Sequence, residues 1–251
     1  SLVKHGFSTR LGGVSQGYFS TMNLTFTTGD NKDAVLENYR RIGGAMGIRP
    51  EDMVLSYQTH TTNIRRVTEE DRGKGITRER DYRDVDGLIT DVPGIALVTF
   101  YADCVPLYFL DPVHKAIGLS HSGWRGTVER MGAKTIRAME EAYGSRPEDI
   151  LACVGPSICQ SCYEVSEDVA RQFMEAFPKE AHGSILESGR APGKYQLDLW
   201  RANQWVLEEA GIHKDHLAVT NVCTCCNPKV LFSHRASKGK RGNLGAFLEL
   251  A

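Results

Sequence analysis

The chain has 251 residues, 41% of them hydrophobic and 24% charged, with a net charge of −1, an ordinary globular balance that buries a core without covalent staples. With no basic block and no stripe of alternating aromatic and cationic residues, this charge argues against nucleic acid or an anionic membrane as partner; a small charged substrate in a locally basic pocket remains compatible. No apolar run approaches the roughly 18 residues a spanning helix needs, no secretory leader is readable, and the odd count of seven cysteines disfavours a disulfide framework, so the expected compartment is the reducing cytoplasm and no obligate protein partner is signalled.

In chain order, the first predicted element is a helix over 32–47, where Val35, Tyr39, Ile42 and Met46 share one face and Asp30 or Asn31 supplies the cap. A strand is expected over 53–59. The polar stretch 69–85 has no apolar period and reads as a solvent-exposed excursion. Strands follow over 87–90, 95–101, 105–110 and 115–121, with Ala102-Asp103-Cys104 joining the second to the third and Asp111-Pro112 turning the third into the fourth. A second helix spans 126–143 through Val128, Met131, Thr135, Met139 and Ala142, and a strand covers 150–155. Ser166 is placed to cap a third helix bearing Val169, Phe173 and Phe177. Asp198 is placed to cap a fourth bearing Leu199, Ala202, Trp205, Val206 and Ala210, before a strand over 217–222. Strands and helices do not alternate regularly, so the expected fold is α+β with mixed sheets, in a single domain over 1–251, rather than a doubly wound parallel sheet.

Three strand ends carry metal-capable side chains: His60 closing VLSYQTH, Cys104 in the turn of FYADCVP, and His121 in GLSHSGWRG. Two imidazoles and a thiolate suit zinc, and three ligands leave the fourth tetrahedral position open, as catalytic sites do. The spacing matches no local zinc finger, so the same residues also read as two satisfied histidines and a core cysteine. Around them, Ser122-Gly123-Trp124-Arg125-Gly126 marks a strand-to-helix turn whose N–H groups and Arg125 suit an anion, or alternatively a tight turn with a surface arginine. The glycine- and hydroxyl-rich stretch from His5 to Ser15, with Arg10, and the basic cluster Ser233-His234-Arg235 with Lys238, Lys240 and Arg241 read either as solvated loops or as converging on the same face. Cys159 and Cys162 form C-x2-C, and Cys223, Cys225 and Cys226 form C-x-C-C. A second, structural zinc is one reading of these, and buried thiols near the substrate pocket the preferred one.

The segments HGFSTRLGGVS, MNL, QTH, DGLIT, ADCVP, HSGWRG, GPSICQSCYEV and SHR…GN together resemble the YfiH-type laccase-domain family, also described as purine nucleoside phosphorylases and as peptidoglycan editing factor, from His5 to about Leu250. The resemblance implies an α+β fold of mixed β-sheets in a sandwich flanked by helices, related to cytotoxic necrotising factor. It implies zinc ligands at His60, Cys104 and His121, and phosphorolysis of adenosine, inosine, guanosine and methylthioadenosine with adenosine deamination as a second reaction. Purine nucleoside and phosphate are then the expected partners. Arg10, Asn23, Gln58, Arg125 and Arg235 are the candidate substrate contacts, and Asp103 a candidate carboxylate orienting a histidine. The chain departs from the family pattern at Arg241-Gly242-Asn243 and at Cys223-Thr224-Cys225-Cys226.

Three rivals stand beside this reading. Multicopper oxidation needs H-x-H pairs, and none of the eight histidines forms one; weak copper binding with slow phenol oxidation at the three-ligand site remains open. A metal-free hydrolase would use Cys104 as nucleophile and His121 as base, which would suit an amide of a cell-wall precursor. A binding module controlling peptidoglycan composition without turnover is the third.

Overall fold

A computed structural model of the chain describes residues 2–251. In chain order the elements are β1 (Val3–Phe7), α1 (Lys32–Met46), β2 (Met53–Leu55), β3 (Ile64–Arg66), β4 (Gly87–Thr90), β5 (Ala96–Tyr101), β6 (Val105–Asp111) and β7 (Ala116–Ser122). Then come α2 (Trp124–Val128), α3 (Met131–Tyr143), β8 (Leu151–Val154), β9 (Glu164–Ser166), α4 (Glu167–Ala176) and α5 (Lys179–Ile185). The chain ends through β10 (Leu186–Ser188), β11 (Lys194–Leu197), α6 (Leu199–Glu209), β12 (Leu217–Val219), α7 (His234–Ser237) and β13 (Leu244–Leu250).

Two mixed sheets face each other. One has the order β1-β13-β5-β2 and the other β12-β8-β6-β7-β4-β3; a small third sheet, β10-β11-β9, lies apart. The period of two along each strand sorts side chains between layers. On β5, Leu97 and Tyr101 enter the core between the sheets while Ala96 and Val98 meet α1; on β13, Leu244, Ala246, Leu248 and Leu250 point inward and Phe247 points to α1. On β7, Ile117 and Leu119 join the inter-sheet core, and Gly118 faces α3, where an added Cβ would stand 3.1 Å from Met139 Sδ and 3.2 Å from Thr135 Cγ2. The layers therefore run from α1 through the smaller and larger sheets to α3 and α6. This is the α+β sandwich flanked by helices.

Five expectations change, among them the strand expected over 217–222, which stops at Val219. The second helix is two, because Arg130 adopts a left-handed φ of 65° between α2 and α3. The strand expected over 53–59 stops at Leu55; beyond it only Tyr57 bridges, to Val85. Asn31 caps α1, accepting from the backbone N–H groups of Asp33 and Ala34, but Ser166 donates to the Asp168 carboxylate instead of capping α4. The stretch 69–85 is no loose excursion: Asp71 and Lys74 are buried as a pair at 2.8 Å, Arg65 joins Asp71 at 2.8 Å, and Tyr82 donates to the Leu55 carbonyl at 2.6 Å. Ion pairing offsets the cost of burying Asp71 and Lys74, and Tyr82 and Val85 join the apolar core, while about half of the segment stays exposed.

Candidate metal centre and active site

His121 follows Ile117 and Leu119 at the strand period of two and so shares their inter-sheet face; its neighbours Ser120 and Ser122 turn the other way, to Thr135 and to Thr127 and Asn203. Cys104 closes the turn from β5 to β6, where Asp103 takes a left-handed φ of 95°, and His60 stands in the loop after β2 with φ 65°. Left-handed backbone at two non-glycine residues costs stability, and here it aims side chains at one point. The ligand-capable atoms of His60, Cys104 and His121 all lie within 4.8 Å of one another, and the two imidazoles stand edge-on with centroids 5.0 Å apart. Tetrahedral zinc with nitrogen and sulfur ligands holds them about 3.4–3.8 Å apart, so this triangle closes on a divalent ion with small side-chain adjustments. Gly123 makes room: a Cβ there would stand 3.1 Å from Cys104 Sγ and 3.2 Å from His60 Cδ2.

The group that organises this triangle is Asp86, at the start of DGLIT and fully buried. Its carboxylate accepts from His121 Nδ1 at 2.7 Å and from the backbone N–H groups of Thr59, His60 and Thr61 at 2.9, 3.1 and 3.1 Å. Holding Nδ1 as the donor leaves His121 Nε2 as the ligand atom. Asp103 does not orient a histidine. Its two oxygens accept from Thr224 Oγ1 and from the Arg235 backbone N–H, each at 2.7 Å, which ties the Cys104 turn to the C-terminal loops.

Between themselves these groups form an ion pair. Burial pushes the Cys104 thiol up, but the charge and hydrogen bond of His121, with help from His60, outweigh it and hold the thiol at about 6. Burial lowers His121, and the Cys104 thiolate with Asp86 overrules it, raising the imidazole to about 9. Burial likewise raises Asp86, yet His121 and the surrounding backbone N–H groups keep it below the usual carboxylate range. Cys104 therefore presents a thiolate at neutral pH, the form that binds metals and attacks electrophiles.

A cavity of about 340 Å³ opens beside the triangle, walled in part by Phe26, Tyr57, Phe100, Arg80, Arg241 and Asn243. The Arg80 guanidinium lies 4.6 Å over the Tyr57 ring. Arg241 is half-buried and donates to Asn243, and its buried Nε has no partner among the described residues.

Of the five candidate substrate contacts, only Gln58 lines this cavity, and its amide is engaged in bracing the wall, donating to the Phe100 carbonyl at 2.8 Å and accepting from the Phe100 N–H at 2.6 Å. The other four are placed elsewhere. Arg10 donates to the Ser20 and Pro228 carbonyls at 2.9 and 2.8 Å, and its guanidinium covers Phe232. Asn23 is fully buried, donating to Asp30 at 2.9 Å and accepting from the Asn243 N–H at 2.9 Å. Arg125 stacks on its own neighbour Trp124 at 4.3 Å, and α2 is only five residues long. Arg235 donates to the Glu164 carbonyl at 3.0 Å and lies 5.2 Å over Tyr163. Sequence reasoning missed Asp86, Arg80 and Asn243 as functional candidates. For Asp86 the DGLIT motif was the available signal; for Arg80 there was none beyond its charge.

Fold and site together define a class: an α+β sandwich that gathers two imidazoles and a thiolate at the mouth of a cavity between loops from both sheets. A family profile described as "Multi-copper polyphenol oxidoreductase laccase" matches residues 4–251, and the chain belongs to that family. It is 35% identical over 247 residues to the "Purine nucleoside phosphorylase YlmD" of Bacillus subtilis, covering 97% of this chain and 87% of that one. It is 37% identical over 248 residues to the "Purine nucleoside phosphorylase" of Deinococcus radiodurans, covering 99% and 89%. Among solved structures, the Bacillus licheniformis "hypothetical protein YfiH" superposes with a TM-score of 0.95 at 34% identity, over 99% of this chain and 93% of that one.

Proposed function

We propose that the chain is a zinc-dependent purine nucleoside phosphorylase acting on adenosine, inosine, guanosine and methylthioadenosine, with His60, Cys104 and His121 as the metal ligands and adenosine deamination as a second reaction. The observation that carries it is the third donor. A hydrolase needs one imidazole beside its thiol; here a second, His60, is held at the same point by an unfavourable backbone conformation and by Asp86. The relatives named purine nucleoside phosphorylase support the reaction class.

A bound zinc ion would supply a Lewis acid at one end of the cavity. The chain's own residues supply the rest. Phe26, Tyr57 and Phe100 offer apolar faces for a purine. Arg241, whose buried Nε has no partner among the described residues, offers a donor for phosphate, and Arg80, one of whose terminal nitrogens already donates to the Ser56 carbonyl, offers its remaining N–H groups. Phosphate held there would attack the anomeric carbon as the glycosidic bond breaks, and the base would depart with the bond electrons and the proton that the phosphate gives up. Deamination replaces the purine 6-amino group with oxygen from water, releases ammonia and needs no phosphate.

The Asp86–His121–Cys104 chain with its thiol at about 6 also favours a second reading, a cysteine hydrolase. The two part on metal. The expected result is that purified protein releases hypoxanthine from inosine only with phosphate, that stripping with a chelator abolishes this and zinc restores it, and that Cys104→Ala has no turnover. Full phosphate-dependent release after verified metal removal would refute the zinc dependence, and no phosphate-dependent release from zinc-loaded protein would refute the phosphorylase reading and leave the hydrolase.

A further inference from the structure

Away from this cavity, four cysteines from two distant segments meet. Cys159 precedes and Cys162 ends a single 3-10 turn, and Cys223 and Cys226 form a second C-x2-C pair, which the intervening Cys225 disguises as C-x-C-C in sequence. The four sulfur atoms all lie within 4.8 Å of one another, with Cys162 and Cys159 at 3.4 and 3.9 Å from Cys226. All four are free thiols, and these separations are far beyond the roughly 2 Å of a disulfide. A tetrahedral zinc ion with sulfur ligands at about 2.3 Å spaces them about 3.8 Å apart, close to the 3.4 and 3.9 Å of the two pairs to Cys226 and within the 4.8 Å that bounds all four.

We propose that Cys159, Cys162, Cys223 and Cys226 form a closed tetrathiolate site for a structural zinc ion, separate from the His60–Cys104–His121 centre. Its surroundings suit the net negative charge such a site carries. The backbone N–H groups of Cys159 and Cys226 both point at Cys223 Sγ at 3.3 Å, and Arg235 donates to the carbonyls of Cys162 and Glu164 at 3.5 and 3.0 Å. The backbone is already joined there, through the bridge between Ser157 and Cys223 and the bond from Thr224 N–H to the Ser157 carbonyl at 3.1 Å. Four protein ligands leave no open position, so the ion would serve architecture and not turnover. Cys225 adjoins Cys162 but stands outside the group of four and serves as an internal control.

The test is metal analysis of protein purified under reducing conditions. Wild type and Cys225→Ser are expected to carry about two zinc ions per chain, and Cys104→Ala about one. Cobalt-loaded Cys104→Ala, whose first site has lost its only thiolate, should keep an intense thiolate-to-cobalt absorption. Adding Cys162→Ser and Cys226→Ser to Cys104→Ala should abolish that absorption and remove the remaining zinc. Should that variant fail to fold, Cys104→Ala decides alone: retained zinc with four alkylation-protected cysteines supports the site. Zinc-free Cys104→Ala, or an intact mass showing the four thiols oxidised in pairs, overturns it. Because Cys104→Ala removes the first centre and leaves the second, failure here is distinguishable from failure of the phosphorylase reading.

Discussion

Asp86→Asn is the substitution that most directly probes the candidate centre. The amide is nearly isosteric, and one oxygen can still accept from Thr59 and Thr61. The other atom becomes an NH2 group facing two donors, the His60 backbone N–H at 3.1 Å and His121 Nδ1 at 2.7 Å. His121 relieves its clash by moving its proton to Nε2, which removes the lone pair a metal needs. Loss of such a carboxylate partner typically weakens metal binding about 10–100-fold, or about 1.4–2.7 kcal/mol. The orphaned His60 N–H costs about 1–3 kcal/mol of stability. Competition titration of metal-free protein against a zinc chelator reads the first quantity, and chemical denaturation the second. Unchanged zinc affinity in a folded Asp86→Asn protein would refute the assignment of His121 Nε2 as a ligand held by Asp86.

Alkylation of Cys104 in metal-free protein should be flat above neutral pH and fall through about 6, since the thiol is depressed from 9.0; a midpoint near the ordinary thiol value would contradict the thiolate–imidazolium pair. Because His121 is raised to about 9 in that pair, zinc binding at pH 7 must displace its proton, so affinity should climb from pH 6 to about 9, with proton release measurable by calorimetry in two buffers. Gly123→Ala should fold normally and bind zinc at least several-fold more weakly, because its methyl would crowd Cys104 and His60; equal metal content at limiting zinc argues against that crowding. Arg241→Met should raise the KM for phosphate about tenfold or more while leaving adenosine deamination, which uses no phosphate, close to wild type. A uniform loss of both reactions would place Arg241 elsewhere in the machinery.

Residue types and spacing left the metal-capable triad open, and the family resemblance of the QTH, ADCVP and HSGWRG motifs made it legible; strand period then turns His121 to the inner face. The triad's support was not legible. Asp103 adjoins Cys104 in sequence, yet a left-handed turn sends its carboxylate to Thr224 and Arg235, while Asp86 reaches His121 by pairing of β4 with β7. Adjacency along the chain is a poor guide to contact across a sheet. Arg80 was hidden because residues 69–85 lack an apolar period, and the burial of Asp71 and Lys74 arises from charge pairing that periodicity does not register. Arg10 and Arg235 were singled out by residue type alone; both donate to backbone carbonyls and neither lines the cavity, which residue type does not register. The fold class survived because mixed strand order shows in the spacing of elements, whereas the split at Arg130 and the central strand β13 depend on tertiary context.

The triad also spans the sandwich. His60 follows β2 of the smaller sheet, His121 ends β7 of the larger, and Cys104 sits where the chain crosses from one to the other. An ion gripped by all three would act as a bolt between two layers otherwise joined mainly by apolar contact. Ion affinity and layer cohesion are then coupled, so a cavity cut between the layers at Leu97 should loosen the grip on the ion, and removing the ion should lower the melting temperature of the whole sandwich.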